Sequence, residues 1–143
     1  VRRGDEIWQY YLGSEEYHSP WSNDGREAVF RVVQRFDGFV SADTPYSGGR
    51  LVTRPLTFEG NRLVLNIDTG ATGHAQAGLL DENGEPVPGF TVDDCVYING
   101  DHIGIEVEWL GKGTDVSSIA GRPVQLVVES RGTRLYSMQF VQR

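Results

Sequence analysis

Short apolar runs recur along this chain at every second position, separated by clusters of Gly, Asn, Asp and Pro. That period belongs to half-buried β-strands. The clearest run is His102 to Trp109, where Ile103, Ile105, Val107 and Trp109 fall on one face and Glu106 and Glu108 on the other. Leu63, Leu65 and Ile67 repeat the pattern, as do Val124, Leu126 and Val128. Weaker strands are predicted for Glu6 to Leu12, Val29 to Phe36, Leu51 to Phe58, His74 to Leu80 and Thr133 to Phe140.

The connections carry turn chemistry. Glu59-Gly60-Asn61 and Arg131-Gly132 read as compact hairpins, and Asp81-Glu82-Asn83-Gly84 places Asn-Gly where positive φ costs little. Only Thr114 to Gly121 reads as helical, with Asp115 as N-cap and Gly121 as stop. Eight or nine short strands in one domain must cover their apolar faces with each other. The fold class is therefore all-β: a two-sheet antiparallel β-sandwich or jelly roll with one very short helix, a closed barrel being the alternative. The polar stretch from Gly13 to Arg26 reads as a linker, which divides the chain into a first strand with linker, 1–26, and a sandwich, 27–143.

Composition narrows the function. At 143 residues, with 38% hydrophobic and 23% charged positions and 18 glycines, this is one turn-rich globular domain. No apolar run is long enough for a membrane-spanning helix. A formal charge of -7 repels polyphosphate, so nucleic acid is not an expected partner. Lys112 is the only lysine among 13 basic residues, so positive charge sits on planar guanidinium groups. Cys95, the single cysteine, excludes an internal disulfide and leaves the compartment open. The opening Val1-Arg2-Arg3-Gly4-Asp5 has neither a start methionine nor an apolar targeting region and reads as a piece cut from something longer.

The run Gly4-Asp5-Glu6-Ile7-Trp8-Gln9-Tyr10-Tyr11-Leu12-Gly13 resembles the closing blade strand of five-bladed β-propeller glycoside hydrolases of the sucrose- and arabinan-cleaving type. The remainder of the chain resembles the β-sandwich appended to such propellers. The phrases that carry this are Arg35 to Asp43, Thr53-Arg54-Pro55-Leu56, Leu63 to Asp68, Leu80 to Phe90, Asp93-Asp94-Cys95, Val107-Glu108-Trp109, Ser118 to Leu126 and Leu135 to Phe140. The resemblance implies a secreted, extracellular or periplasmic accessory domain that packs on a catalytic propeller or binds glycan itself. It also implies no catalysis by this chain alone, because the family's acidic signature motifs lie in the propeller and are not found here.

Residue chemistry agrees with a non-catalytic reading. Glycoside hydrolysis needs two carboxyls flanking a bond, one with a raised pKa; Glu106 and Glu108 read as solvated acids on a strand face, and Asp93-Asp94 as a turn cap. His18, His74 and His102 do not recur at zinc-ligand spacing, and no G-x-S-x-G elbow occurs. Cys95 reads as a small buried hydrophobe, and Ser47-Gly48-Gly49-Arg50 as a flexible loop. No cofactor is expected. Asp81, Asn83 and Glu85 read as a hairpin turn, and a structural calcium assembled from distant loop oxygens stays open.

Glycan recognition needs a flat aromatic surface with polar planar groups around it. Tyr46, Tyr97 and Trp21 fall in loops, where aromatic rings are less expected than in strands. The expected function is thus a carbohydrate-binding module for a polysaccharide or oligosaccharide. Tyr46, Tyr97 and Trp21 would stack on sugar; Asp43, Arg50, Asp94, Asp101 and His102 would hydrogen-bond it. The alternative is a structural sandwich that stabilises its propeller or an oligomer without binding glycan, with Tyr46, Tyr97 and Trp21 then plugging the sandwich ends or packing the linker. An independent enzyme ranks third.

Overall fold

The computed structural model describes residues 1–14 and 27–143, so the expected linker and Trp21 lie outside the described residues, apart from Gly13 and Ser14. The described chain is all-β, with three antiparallel sheets and one short 3-10 turn at Ser117–Ile119. It divides into two compact units, Val1–Phe39 and Val40–Arg143.

The first unit is a three-stranded sheet of β1 (Arg2–Arg3), β2 (Glu6–Ser14) and β3 (Glu27–Arg35) in that order. β2 and β3 pair in unbroken register from Glu6↔Arg35 to Ser14↔Glu27. Directly paired residues share a face. One face therefore carries Trp8, Val33, Tyr10, Arg31, Leu12 and Val29, and the other carries Gln9, Val32, Tyr11 and Phe30. The Arg31 guanidinium lies 4.2 Å from the centre of the Trp8 ring, and Tyr11 stacks on Phe30 at 5.2 Å. Within this unit, apolar side chains on both faces stay open to solvent, including Leu12, Val29, Val32 and Val33.

The second unit contains β4 (Ala42–Thr44), β5 (Gly49–Val52), β6 (Arg62–Asp68), β7 (His74–Leu80), β8 (Asp101–Glu106), β9 (Gln125–Arg131) and β10 (Thr133–Val141). They are shared between a four-stranded sheet, β4-β10-β6-β8, and a three-stranded sheet, β5-β9-β7, and each strand lies in the opposite sheet from the one before it. The inward residues of both sheets, among them Leu63, Leu65 and Ile67 of β6, Ala75, Ala77 and Leu79 of β7, and Leu126 and Val128 of β9, form one cluster. Period-2 alternation drives that arrangement, since each strand has a single apolar face to remove from water. Trp109 and Val107 join the cluster fully buried, although β8 ends at Glu106. Cys95 lies in the same core, its sulfur accepting from the Ala77 amide at 3.2 Å, and burial pushes its thiol pKa up.

Several sequence expectations need correction. The turn at Arg131-Gly132 is not a hairpin: β9 and β10 lie in different sheets, so the turn carries the chain from one layer to the other. The strand expected over Leu51 to Phe58 stops at Val52, with Leu56 making only an isolated bridge to Val124, so Glu59-Gly60-Asn61 joins no strand pair. Instead the Asn61 amide bonds to the Val141 carbonyl. The helix expected from Thr114 to Gly121 shrinks to one 3-10 turn that begins after Val116; the Asp115 carboxylate does accept from the Ser117 amide at 2.8 Å. That bond lowers the Asp115 pKa.

Candidate functional site

Four connections meet at one end of the second unit. The β6–β7 loop is tied to the segment before β8 by Thr69, whose buried hydroxyl accepts from the Gly100 amide at 2.8 Å, and by Asn99, which donates to the Gly73 carbonyl at 2.9 Å. A Cβ on Gly73 would collide with the carbonyl oxygens of Thr69, Arg131 and Gly132, so only glycine lets the β6–β7 loop and the β9–β10 turn approach this closely. The β4–β5 loop joins through the Gly132 amide, which donates to the Pro45 carbonyl at 3.1 Å.

Tyr46 sits where these connections meet. Its ring lies against Gly132, where a Cβ would come within 2.6 Å of the ring edge, and Gly132 has φ of +56°, a conformation that favours glycine. Its phenol oxygen accepts from the Thr72 hydroxyl at 3.3 Å. The residue is nevertheless 59% exposed. It is an aromatic surface fixed from behind and open in front.

Beside it lies an open cleft of about 530 Å³ between Asp43–Tyr46, Asp68 with Gly70, and Gly132–Arg134. The sheet register explains its charges. Asp43 of β4 is paired with Arg134 of β10, Arg134 with Asp68 of β6, and Asp68 with Asp101 of β8. Since paired residues share a face, these four side chains form one row across the four-stranded sheet, on the side opposite Leu135 and Ile67, with signs acid, base, acid, acid. Hydrogen bonding to Tyr136 foremost, with the carboxylates of Asp43 and Asp68, raises the Arg134 pKa above its already high value, so the guanidinium stays charged. Asp68 accepts from the Gly70 amide at 2.8 Å, and Asp43 accepts from the Ser41 hydroxyl. Both carboxylates are thereby oriented.

Tyr46 and Asp43 line the cleft, and Asp101 extends its charged row. Arg50 lies on the three-stranded sheet, paired with Glu129 at 3.5 Å, and lines a separate shallow groove between β4 and β5 that Asp43 shares. His102 turns its Nε2 to the Asn99 carbonyl at 2.6 Å. Asp94 closes a turn by accepting from the Thr91 hydroxyl at 2.8 Å. Tyr97 is 61% exposed and meets the His74 ring edge-on at 5.2 Å, outside the cleft lining. Asp68, Arg134, Thr72 and Gly132 are the site residues that sequence reasoning misses. Their only sequence signal is that Asp68 and Arg134 hold the polar positions of well-patterned strands.

Elsewhere the acids have structural occupations. Glu106 pairs with Arg143 at 2.7 Å and with Arg62 at 3.6 Å. The Asp81 carboxylate accepts from the Asn83 and Glu85 amides at 2.8 and 2.9 Å, which makes that segment a turn. Among the described residues no cluster of three or more His, Cys, Asp or Glu is placed to hold a metal ion. No helix among them is long and apolar enough to cross a membrane. Comparison with protein-family models, with curated proteins and with solved structures finds no match to this chain.

Proposed function

We propose that this chain is a non-catalytic carbohydrate-binding module, a two-sheet jelly roll appended to a secreted glycoside hydrolase. The observation that carries the binding reading is Tyr46: a residue more than half exposed whose ring is nevertheless held against Gly132 and by Thr72 at its hydroxyl, beside a cleft of oriented polar groups. A fixed aromatic face loses little conformational freedom when the apolar C–H face of a sugar stacks on it. Asp43 and Asp68 supply acceptors for hydroxyl groups and Arg134 supplies donors. The jelly-roll reading is supported by the strict alternation of β4 to β10 between two sheets that share one apolar cluster.

Affinity electrophoresis through gels containing individual soluble polysaccharides tests the proposal. At least one polysaccharide retards the chain, and Tyr46→Ala, folded by its circular dichroism, migrates as in the blank gel. Unretarded migration across a panel of glucans, xylans, arabinans and fructans, or retardation that Tyr46→Ala leaves intact, overturns it.

A second reading is favoured by a different observation. The sheet of the first unit exposes apolar side chains on both faces, and among the described residues the only strand that β3 pairs with is β2. Strands apolar on both faces belong between other layers. That pattern supports the β1–β3 sheet as a docking element for strands of a β-propeller, as the resemblance implies. The two readings concern different units and are compatible.

A further inference from the structure

We propose that the Tyr46 cleft selects uncharged, hydroxyl-bearing sugars and rejects uronates and sulfated glycans; this rests on the glycan-binding reading and names its ligand class. The charge row sets this preference. Three carboxylates, Asp43, Asp68 and Asp101, stand in one row across the sheet with a single guanidinium, that of Arg134. Among the described residues Arg134 is the only basic one lining the cleft, and it already answers to Tyr136, Asp43 and Asp68. A sugar carboxylate or sulfate would have to displace those partners while entering beside two negative charges, in a molecule of formal charge -7. A hydroxyl group meets no such barrier. It donates to Asp43 or Asp68 and accepts from Arg134, and charge-assisted bonds of that kind are the stronger ones.

Spacing fits the same ligand. Asp43 and Asp68 stand two strands apart with Arg134 between them, a backbone separation of about 10 Å from the spacing of neighbouring strands. Hydroxyl groups on opposite edges of a sugar ring in the cleft can therefore donate to the two carboxylates, while the guanidinium between them donates to a hydroxyl, ring or linkage oxygen.

Titration calorimetry on the whole chain is the test, with xylo-, arabino-, fructo- and cello-oligosaccharides as neutral probes, trigalacturonate as the anion and a glucosamine oligomer as the cation. At least one neutral probe binds with an affinity little changed between low and high salt, trigalacturonate gives no binding heat at equal concentration, and Asp68→Asn weakens the neutral probe about tenfold. Tyr46→Ala removes the heat. Binding of trigalacturonate at equal or lower concentration, or of the glucosamine oligomer more tightly and salt-dependently than any neutral probe, overturns the ligand class while glycan binding stands, provided Tyr46→Ala abolishes it. Heat from no probe removes both the class and the binding reading.

Discussion

Trp109 has no exposed surface, donates its indole N–H to the Ala77 carbonyl at 2.9 Å and meets the Phe90 ring edge-on at 5.4 Å. Truncation removes the largest buried side chain of the core and leaves the Ala77 acceptor without that donor. Trp109→Ala is expected to lower stability by about 3–5 kcal/mol, read as a shift of the urea midpoint at unchanged slope; a shift below about 1 kcal/mol would mean that Trp109 does not anchor the core. Asp81 offers a pH-dependent case. It is half-buried, and its pKa is lowered chiefly by the Glu85 amide, against some desolvation, with Asn83 and Gly84 adding to the lowering. A group whose pKa is depressed on folding contributes stability above its unfolded value and loses it as pH falls through the folded one. Asp81→Ala should therefore lower Tm at neutral pH, and the gap from the unsubstituted chain should narrow as the pH is taken below the ordinary carboxylate range. A gap independent of pH would show that the Asp81 charge has no part in the turn.

At the scale of elements, legibility follows how much of a strand's fate its own sequence decides. His74–Leu80 is legible to the residue, and the Leu63, Leu65 and Ile67 alternation places β6, because one face of each enters the core. The three-residue β4 carries no alternation to read, and it exists because Thr44, Asp43 and Ala42 find partners on β10. Turn chemistry marks a break at Gly132 without showing that the chain changes sheets there. In the β1–β3 sheet sequence foresees β2 and β3 but not the two-residue β1, and the exposure of their apolar side chains is revealed only by burial. If the exposed faces of this sheet dock on another β-domain, the isolated chain should bind an apolar dye and self-associate with rising concentration, and Val29→Lys with Val33→Glu should reduce both. A monomeric, dye-silent chain would argue against the docking reading.

At the scale of the whole molecule, the candidate site is assembled by topology. Sequence can single out Tyr46 and Asp43, since a loop aromatic beside polar residues is visible without a fold. It cannot join them to Asp68 and Arg134, which come from distant strands and meet only through the order β4-β10-β6. Nor can it show that Tyr97 and Asp94 are engaged by His74 and Thr91. The all-β class is legible because alternation repeats in many segments at once, whereas register depends on pairings that no single segment records. The central claim is that the face of Tyr46 and the charged row beside it form one sugar-binding surface. Amide chemical-shift mapping with an oligosaccharide of whichever polysaccharide retards the chain tests it most directly. The account predicts shifts concentrated at Asp43, Thr44, Tyr46, Gly132, Thr133 and Arg134; shifts clustered elsewhere, with these six amides unmoved at saturation, would contradict it.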